Sequence, residues 1–219
     1  MQDNPTHSWF QKQELIDTWF PARPDAKSSP HRYSALELGI LPDRPDWLQT
    51  QVIQRAIDSI AEQGGGTLVF PAGTYLSGSV FFRPGVHLDL AKNAMILGSS
   101  EIEDFSLIPT RIEGKNVNYF AALINADHCD GFTISGEGIL DGNGLPYWRH
   151  FWLRRKFNPE CKNLDEMRPR ILYVSNSDDV TVKGIEIRNS PFWSTHYYRC
   201  RRLTLANLKI TAPTEPVNR

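Results

Sequence analysis

Three short segments of this chain carry one pattern: Phe132-Thr133-Ile134, Val180-Thr181-Val182 and Leu203-Thr204-Leu205. Each alternates apolar, Thr, apolar, the period of a strand with one buried face. Two residues beyond each segment stands Gly136, Gly184 or Asn207, residue types that accept a left-handed backbone bend most readily. A second apolar pair follows, Ile185 and Ile187 in one copy, Leu208 and Ile210 in the next. The second and third copies start 23 residues apart and the first and second 48, which reads as about two periods with an insertion. Short strands that recur at such a period and bend at matching offsets predict a β-solenoid, in which each coil stacks only on its neighbours. Unrelated strands of a sandwich would have no reason to bend at the same offset three times. The expectation is therefore one inward column of Ile134, Val182 and Leu205, with the Thr side chains outward and Gly136, Gly184 and Asn207 at one shared bend.

A chain of 219 residues is long enough for one large domain with a sizeable core. Residues 1–44 read as an N-terminal arm, with Trp9, Phe10, Trp19 and Phe20 scattered among Pro and Ser in its irregular first forty residues. Residues 45–66 read as a capping helix. Asp46 followed by Gln49 resembles a capping box, and Val52, Ile53, Ala56, Ile57 and Ile60 form one apolar stripe. Gly64-Gly65-Gly66 stops the helix; the run lacks the following Lys-Ser/Thr of a phosphate loop. Residues 67–219 read as solenoid coils, with residues 86–90 an earlier coil 46 residues before Phe132. An amphipathic helix just ahead of the first coil is the simplest cover for an open solenoid end.

Three cysteines, Cys129, Cys161 and Cys200, match no zinc spacing. Cys129 and Cys200 hold the same coil position, with Ser177 between them, so stacking separates them by roughly 10 Å, beyond the ~7 Å limit of a disulfide. The net charge of −1 gives no field that favours nucleic acid, and no stretch approaches a membrane span. The N-terminus has no charged and apolar signal regions; this fits a protein of the cell interior, or one whose signal was removed.

Between Asp141 and Arg170 the coil pattern breaks. Arg149, His150, Arg154, Arg155 and Lys156 fall within eight residues, interleaved with Phe151 and Trp152. One reading is a solvated amphipathic helix. The other is a wall beside a cleft for an anionic ligand, where Arg grips carboxylates through two hydrogen bonds.

At Gly136-Glu137-Gly138-Ile139-Leu140-Asp141-Gly142-Asn143-Gly144, followed by Tyr147-Trp148, the chain resembles the polygalacturonases and their relatives in glycoside hydrolase family 28. Three further stretches match in order: Gly64-Gly65-Gly66-Thr67 through Pro71-Ala72-Gly73-Thr74-Tyr75-Leu76, then Arg168-Pro169-Arg170, then Asn189-Ser190-Pro191-Phe192-Trp193 through His196. Residues 38–43 depart from the family, lacking its Gly-Asp-Gly. The resemblance covers roughly residues 45–213 and implies an all-β fold: a right-handed, single-stranded parallel β-helix (the pectin-lyase-like solenoid) with an N-terminal capping helix.

The implied activity is inverting hydrolysis of α-linked galacturonan or related pectin. Inversion needs one carboxylic acid and one carboxylate, ~6.5–9.5 Å apart. In the family these lie in Asn-Thr-Asp and Asp-Asp segments, followed by Gly-His-Gly and Arg-Ile-Lys. None stands in its family context here, so the catalytic acids are expected beyond Arg219, and residues 1–219 alone are expected to be inactive. Asp178-Asp179 imitates the pair, but its frame is a turn before Val180, in register with Asp130-Gly131 and Arg201-Arg202. Asp141 likewise fits a turn ahead of Gly142.

The expected substrate-binding residues are Trp193, His196 and Arg168, in segments that resemble the family, and Arg154 of the basic stretch; the insertion and the coil after it are expected to put Trp193, His196 and Arg154 on one side of the solenoid. No metal or cofactor is implied. The implied partner is pectic polysaccharide or oligogalacturonide, bound by a monomer that is secreted or periplasmic, or else cytoplasmic. Two other readings compete. One is a non-catalytic, polysaccharide-binding or structural β-helix. The other is a lyase-like enzyme, which would need a Ca²⁺-binding carboxylate cluster.

Overall fold

The apolar–Thr–apolar segments predict strands stacked side by side, and the register bears this out. This is a computed structural model, and it describes residues 29–213; the aromatic group Trp9, Phe10, Trp19 and Phe20 lies outside the described residues. Strand β1 (Arg32–Ser34) and helix α1 (Thr50–Glu62) come first. The first full coil is β2 (Gly66–Phe70), β3 (Gly73–Ser77) and β4 (Val80–Phe82). The second is β5 (Val86–Leu90) and β6 (Ala94–Gly98), a hairpin of β7 (Leu107–Ile112) and β8 (Lys115–Phe120), then β9 (Ile124–Asp127). The third is β10 (Thr133–Gly136), β11 (Ile139–Asp141), helix α2 (Leu145–Phe157) and β12 (Leu172–Ser175). The fourth is β13 (Thr181–Lys183), β14 (Glu186–Arg188) and β15 (Thr195–Tyr198), and β16 (Thr204–Ala206) and β17 (Lys209–Thr211) begin a fifth.

Each coil thus contributes one strand to each of three sheets. Their orders are β1-β2-β5-β10-β13-β16, β3-β6-β11-β14-β17 and β4-β9-β12-β15. Within each sheet neighbours run parallel; among the described residues only the β7–β8 hairpin is antiparallel. The fold is a parallel β-helix with a helical cap, as the sequence implied.

Leu88 pairs with Ile134, Ile134 with Val182, and Val182 with Leu205, giving the expected inward column. Leu88, Ile134 and Val182 are completely buried. Thr133, Thr181 and Thr204 stack on the outer face. Gly136, Gly184 and Asn207 all take positive φ, at 114°, 79° and 52°. The coil period needs correction. Thr133 pairs directly with Thr181, so the 48-residue spacing is one coil carrying an insertion and not two periods. The hairpin lengthens the coil before it in the same way.

The start of the solenoid satisfies its exposed strand edges one sheet at a time, which is what keeps an edge from pairing with another chain. β1 pairs with β2 and covers the first sheet, so the arm is not wholly irregular. Over the second sheet, Asp43 N–H donates to Thr74 O, Thr74 N–H to Asp43 Oδ1, and Gln49 N–H to Leu76 O, at 2.7–2.9 Å. Over the third, Gln54 of α1 accepts from Phe81 N–H at 2.8 Å and donates to Phe81 O at 2.9 Å, taking the place of a neighbouring strand. Ile53, Ala56, Ile57 and Ile60 bury the apolar stripe of α1 against β2, β4 and β5.

The capping box does not form. Gln49 is the residue before the helix, and its side chain holds Leu41 N–H and O instead, at 2.9 Å each. Asp46 pairs with Arg44. Gly64 and Gly65, with φ of 93° and 92°, end the helix as expected, and Gly65 N–H closes on Ile60 O. Gln54→Ala should destabilise by about 1–3 kcal/mol, because it strips two partners from Phe81. A lowered urea midpoint at unchanged slope would verify it.

Cys129 and Cys161 are buried free thiols and Cys200 is a half-buried one; burial pushes the Cys129 thiol up to about 11. Among the described residues, no helix is long and apolar enough to cross a membrane.

Candidate functional site

The three longest excursions all leave the second sheet and return to the third: the hairpin after β6, helix α2 with residues 158–171 after β11, and residues 189–194 after β14. They therefore build up one side of the third sheet. Strand alternation gives that sheet two outward rows. One holds Phe81, Asn125, Tyr173 and His196; the other holds Asp127, Ser175 and Tyr198. Between these rows and the hairpin lies an open cavity of about 950 Å³. Thr110, Arg111, Asn116 and Asn118 line it from the hairpin, and Arg83 and Arg199 from the opposite rim. Glu113 and Gly114 both take positive φ, the signature of a tight two-residue hairpin turn.

The chemistry of this cavity is cationic and aromatic. The guanidinium groups of Arg111 and Arg199 lie 5.9 and 5.2 Å from the ring centre of Tyr198. Asp127 is the only carboxylate among the described residues lining it. Its Oδ1 accepts from Ser175 Oγ at 2.6 Å and Asn176 Nδ2 at 2.7 Å, while Oδ2 meets His128 Nδ1 at 2.8 Å. Burial works to raise its pKa, but those hydrogen bonds outweigh it and hold the carboxyl below the usual range.

At the edge of the cavity, His196 sits beside Tyr173, with ring centres 5.1 Å apart, and takes the edge of Trp193 at 5.0 Å. Arg170, 1% exposed, lies 4.2 Å over Tyr173 and bonds His196 Nδ1 at 2.8 Å. Burial and then the Arg170 charge lower the His196 pKa to about 4. The folded state therefore keeps this ring neutral where the unfolded chain, near 6.5, takes up a proton. Its contribution to stability is present above pH 6.5 and is lost as pH falls towards 4. Melting temperature should fall across that window, and His196→Gln should flatten part of the fall.

The structure brings three of the four expected site residues together. Trp193 stacks on Phe192 at 4.8 Å and 18° and touches His196. Arg168 is buried, sandwiched 4.0 Å from Phe151 of α2 and 5.2 Å from Phe192, and donates to Asn163 Oδ1 at 2.7 Å. Arg154, in the last turn of α2, is engaged by Glu166 and Asp165 O. The helix buries Tyr147, Trp148 and Phe151 on the body, so the basic stretch forms a docked helix. Sequence reasoning missed Arg170 as a site residue, and it missed Tyr173, Arg111, Tyr198 and Arg199. The one trace of the hairpin in the sequence is Gly114, which sits in the turn between β7 and β8.

Asp178 and Asp179 stand at a turn. Asp179 takes φ 58°, aligned with Gly131 at 75° and Arg202 at 54°. Asp178 and Asp179 pair with Arg201 and Arg202 of the next coil, and Asp130 Oδ1 accepts from Asp178 N–H. Asp141 accepts from Asn143 N–H, Arg188 Nε and Asn189 Nδ2.

Residues 87–219 match the sequence profile of Glycosyl hydrolases family 28. The chain belongs to that family. A "Probable polygalacturonase" of Vitis vinifera is 26% identical across 86% of this chain and 38% of its own length. An "Exopolygalacturonase" of Zea mays is 25% identical across 77% of this chain and 38% of its own. This family 28 chain thus spans well under half the length of those curated relatives. In fold it is similar to the hyperthermoactive exopolygalacturonase of Thermotoga maritima, with a TM-score of 0.75 at 20% identity over 91% of this chain and 51% of that one.

Proposed function

We propose that this chain belongs to an inverting hydrolase of α-linked galacturonan or related pectin, with the substrate lying along the outer face of the third sheet. The observation that carries this reading is the cavity in a family 28 fold, rimmed by Arg111, Arg199 and Arg83 and floored by Tyr173 and Tyr198. Guanidinium groups match uronate carboxylates with two parallel hydrogen bonds, and aromatic rings match sugar faces. Trp193 and His196 extend the aromatic surface at the start of β15, and the buried Arg168 backs Phe192, on which Trp193 stacks. Arg154, engaged by Glu166, would act from further out, on α2.

Inversion needs two carboxyl groups ~6.5–9.5 Å apart, and among the described cavity residues Asp127 stands alone and is already hydrogen-bonded three ways. On this reading the acid and base lie outside the described residues. A secreted or periplasmic monomer suits so large a substrate. The intact natural protein, given polygalacturonate, should release reducing ends whose first-formed anomer is inverted. Retention at the anomeric carbon would refute the mechanism. Binding without cleavage would favour the second reading, a non-catalytic polysaccharide-binding β-helix, which the lone, occupied Asp127 also fits. In the intact protein, Trp193→Ala should raise KM for oligogalacturonide several-fold with kcat little changed; an unchanged KM would mark Trp193 as packing.

A further inference from the structure

Arg170 is an unusual resident of this site. It is a guanidinium, 1% exposed, set just before β12 and beside the row that floors the cavity. Its NH2 donates to Thr110 Oγ1 of the hairpin at 3.3 Å, its plane lies over Tyr173, and NH1 meets His196 Nδ1 at 2.8 Å. Burial lowers its pKa to about 10, so it stays protonated at neutral pH. A guanidinium can only donate. The Nδ1 it faces must then be the accepting nitrogen, which leaves the proton on Nε2.

We propose that Arg170 is a positioning residue that holds His196 in the neutral Nε2–H tautomer, giving the cleft a fixed donor for a sugar hydroxyl or carboxylate oxygen. The proposal rests on the cleft being one that binds uronate. Protonating Nδ1 would set two donors against each other, so His196 does not take up or release a proton as a catalytic acid or base would. Other titratable or charged groups around the ring act in the same sense or are neutral. Tyr173 and Tyr198 flank it, and Arg111 and Arg199 stand behind Tyr198. Sequence gave no hint of this division of labour, because Arg168 and Arg170 look equivalent in Arg168-Pro169-Arg170. In the fold Arg168 turns to Phe151 and Phe192, whereas Arg170 turns to His196.

The test uses the protein uniformly labelled with ¹⁵N and ¹³C. Two-bond ¹H–¹⁵N spectra should place His196 Nδ1 among unprotonated nitrogens and Nε2 among protonated ones, unchanged from pH 5 to pH 8. An Nδ1–H tautomer, or titration within that range, overturns the proposal without any variant. Arg170→Met should release the ring to titrate nearer an ordinary histidine. Arg170→Lys, still a donor, should keep the lock. Added trigalacturonate should shift the Nε2–H resonance, and Arg170→Met should weaken its binding about tenfold, the worth of one oriented hydrogen bond, with Arg170→Lys recovering most of it. If trigalacturonate shifts Tyr198 and Arg111 but leaves His196 unmoved, the donor role is wrong and the cleft reading stands. If it shifts none of them while the tautomer is locked, the donor role is wrong and the cleft reading falls with it.

Discussion

Given polygalacturonate, residues 1–219 alone are expected to release no reducing ends above background. General acid–base catalysis is worth about 10²–10⁴ for each proton transfer, and inversion calls for an acid and a base together. The candidate carboxylates within the described residues are committed elsewhere. Asp178 and Asp179 are paired with the arginines of the next coil, Asp141 with Arg188 and Asn189, and Asp127 with Ser175, Asn176 and His128. A reducing-sugar assay is decisive. Cleavage by this chain alone would mean that one of these acids does leave its partners, and Asp127→Asn would then be the first variant to examine.

The second large effect concerns the bend. Gly136→Ala should destabilise the solenoid by about 4 kcal/mol, combining a strained backbone worth ~1–3 kcal/mol with an overpacked contact of similar size. Gly136 sits at φ 114°, where a Cβ would press on Leu90 O and come within 2.7 Å of Leu90 C. That neighbour is backbone of the adjacent coil and cannot swing aside. Leu90 O also accepts Glu137 N–H at 2.9 Å, so a shift breaks the stacking itself. Gly39 is the control. It too has positive φ, at 79°, but a Cβ there meets nothing within 4 Å, so Gly39→Ala should cost only about 1 kcal/mol. Equal losses in chemical denaturation would contradict this account of the bend.

That contrast marks what a sequence can convey about such a fold. Thr133, Thr181 and Thr204 were readable because a solenoid repeats one geometry, and Gly136, Gly184 and Asn207 because the bend restricts residue type. Features that act once were not readable. β1 is three residues long and forms because β2 presents an edge to it. Asp46 and Gln49 have the letters of a capping box, yet Arg44 and the Leu41 backbone bind them first. The β7–β8 hairpin obeys local antiparallel pairing and so escapes a search for coil period. At the site, Trp193 and His196 stand in a recognisable segment and do touch. Arg111 and Arg199 reach the cavity, and Arg170 the ring of His196, from three separate parts of the chain, and no spacing links them.

The central claim is that the outer face of the third sheet is a uronate-binding cleft. Calorimetric titration of this protein with trigalacturonate, set against the neutral trisaccharide galactotriose and repeated with the Arg111→Ala/Arg199→Ala double variant, tests it most directly. The expected result is binding of trigalacturonate that weakens with added salt and falls at least tenfold in the variant, with galactotriose bound far more weakly. Equal binding of the two sugars, or trigalacturonate binding that ignores the loss of both arginines, would contradict it.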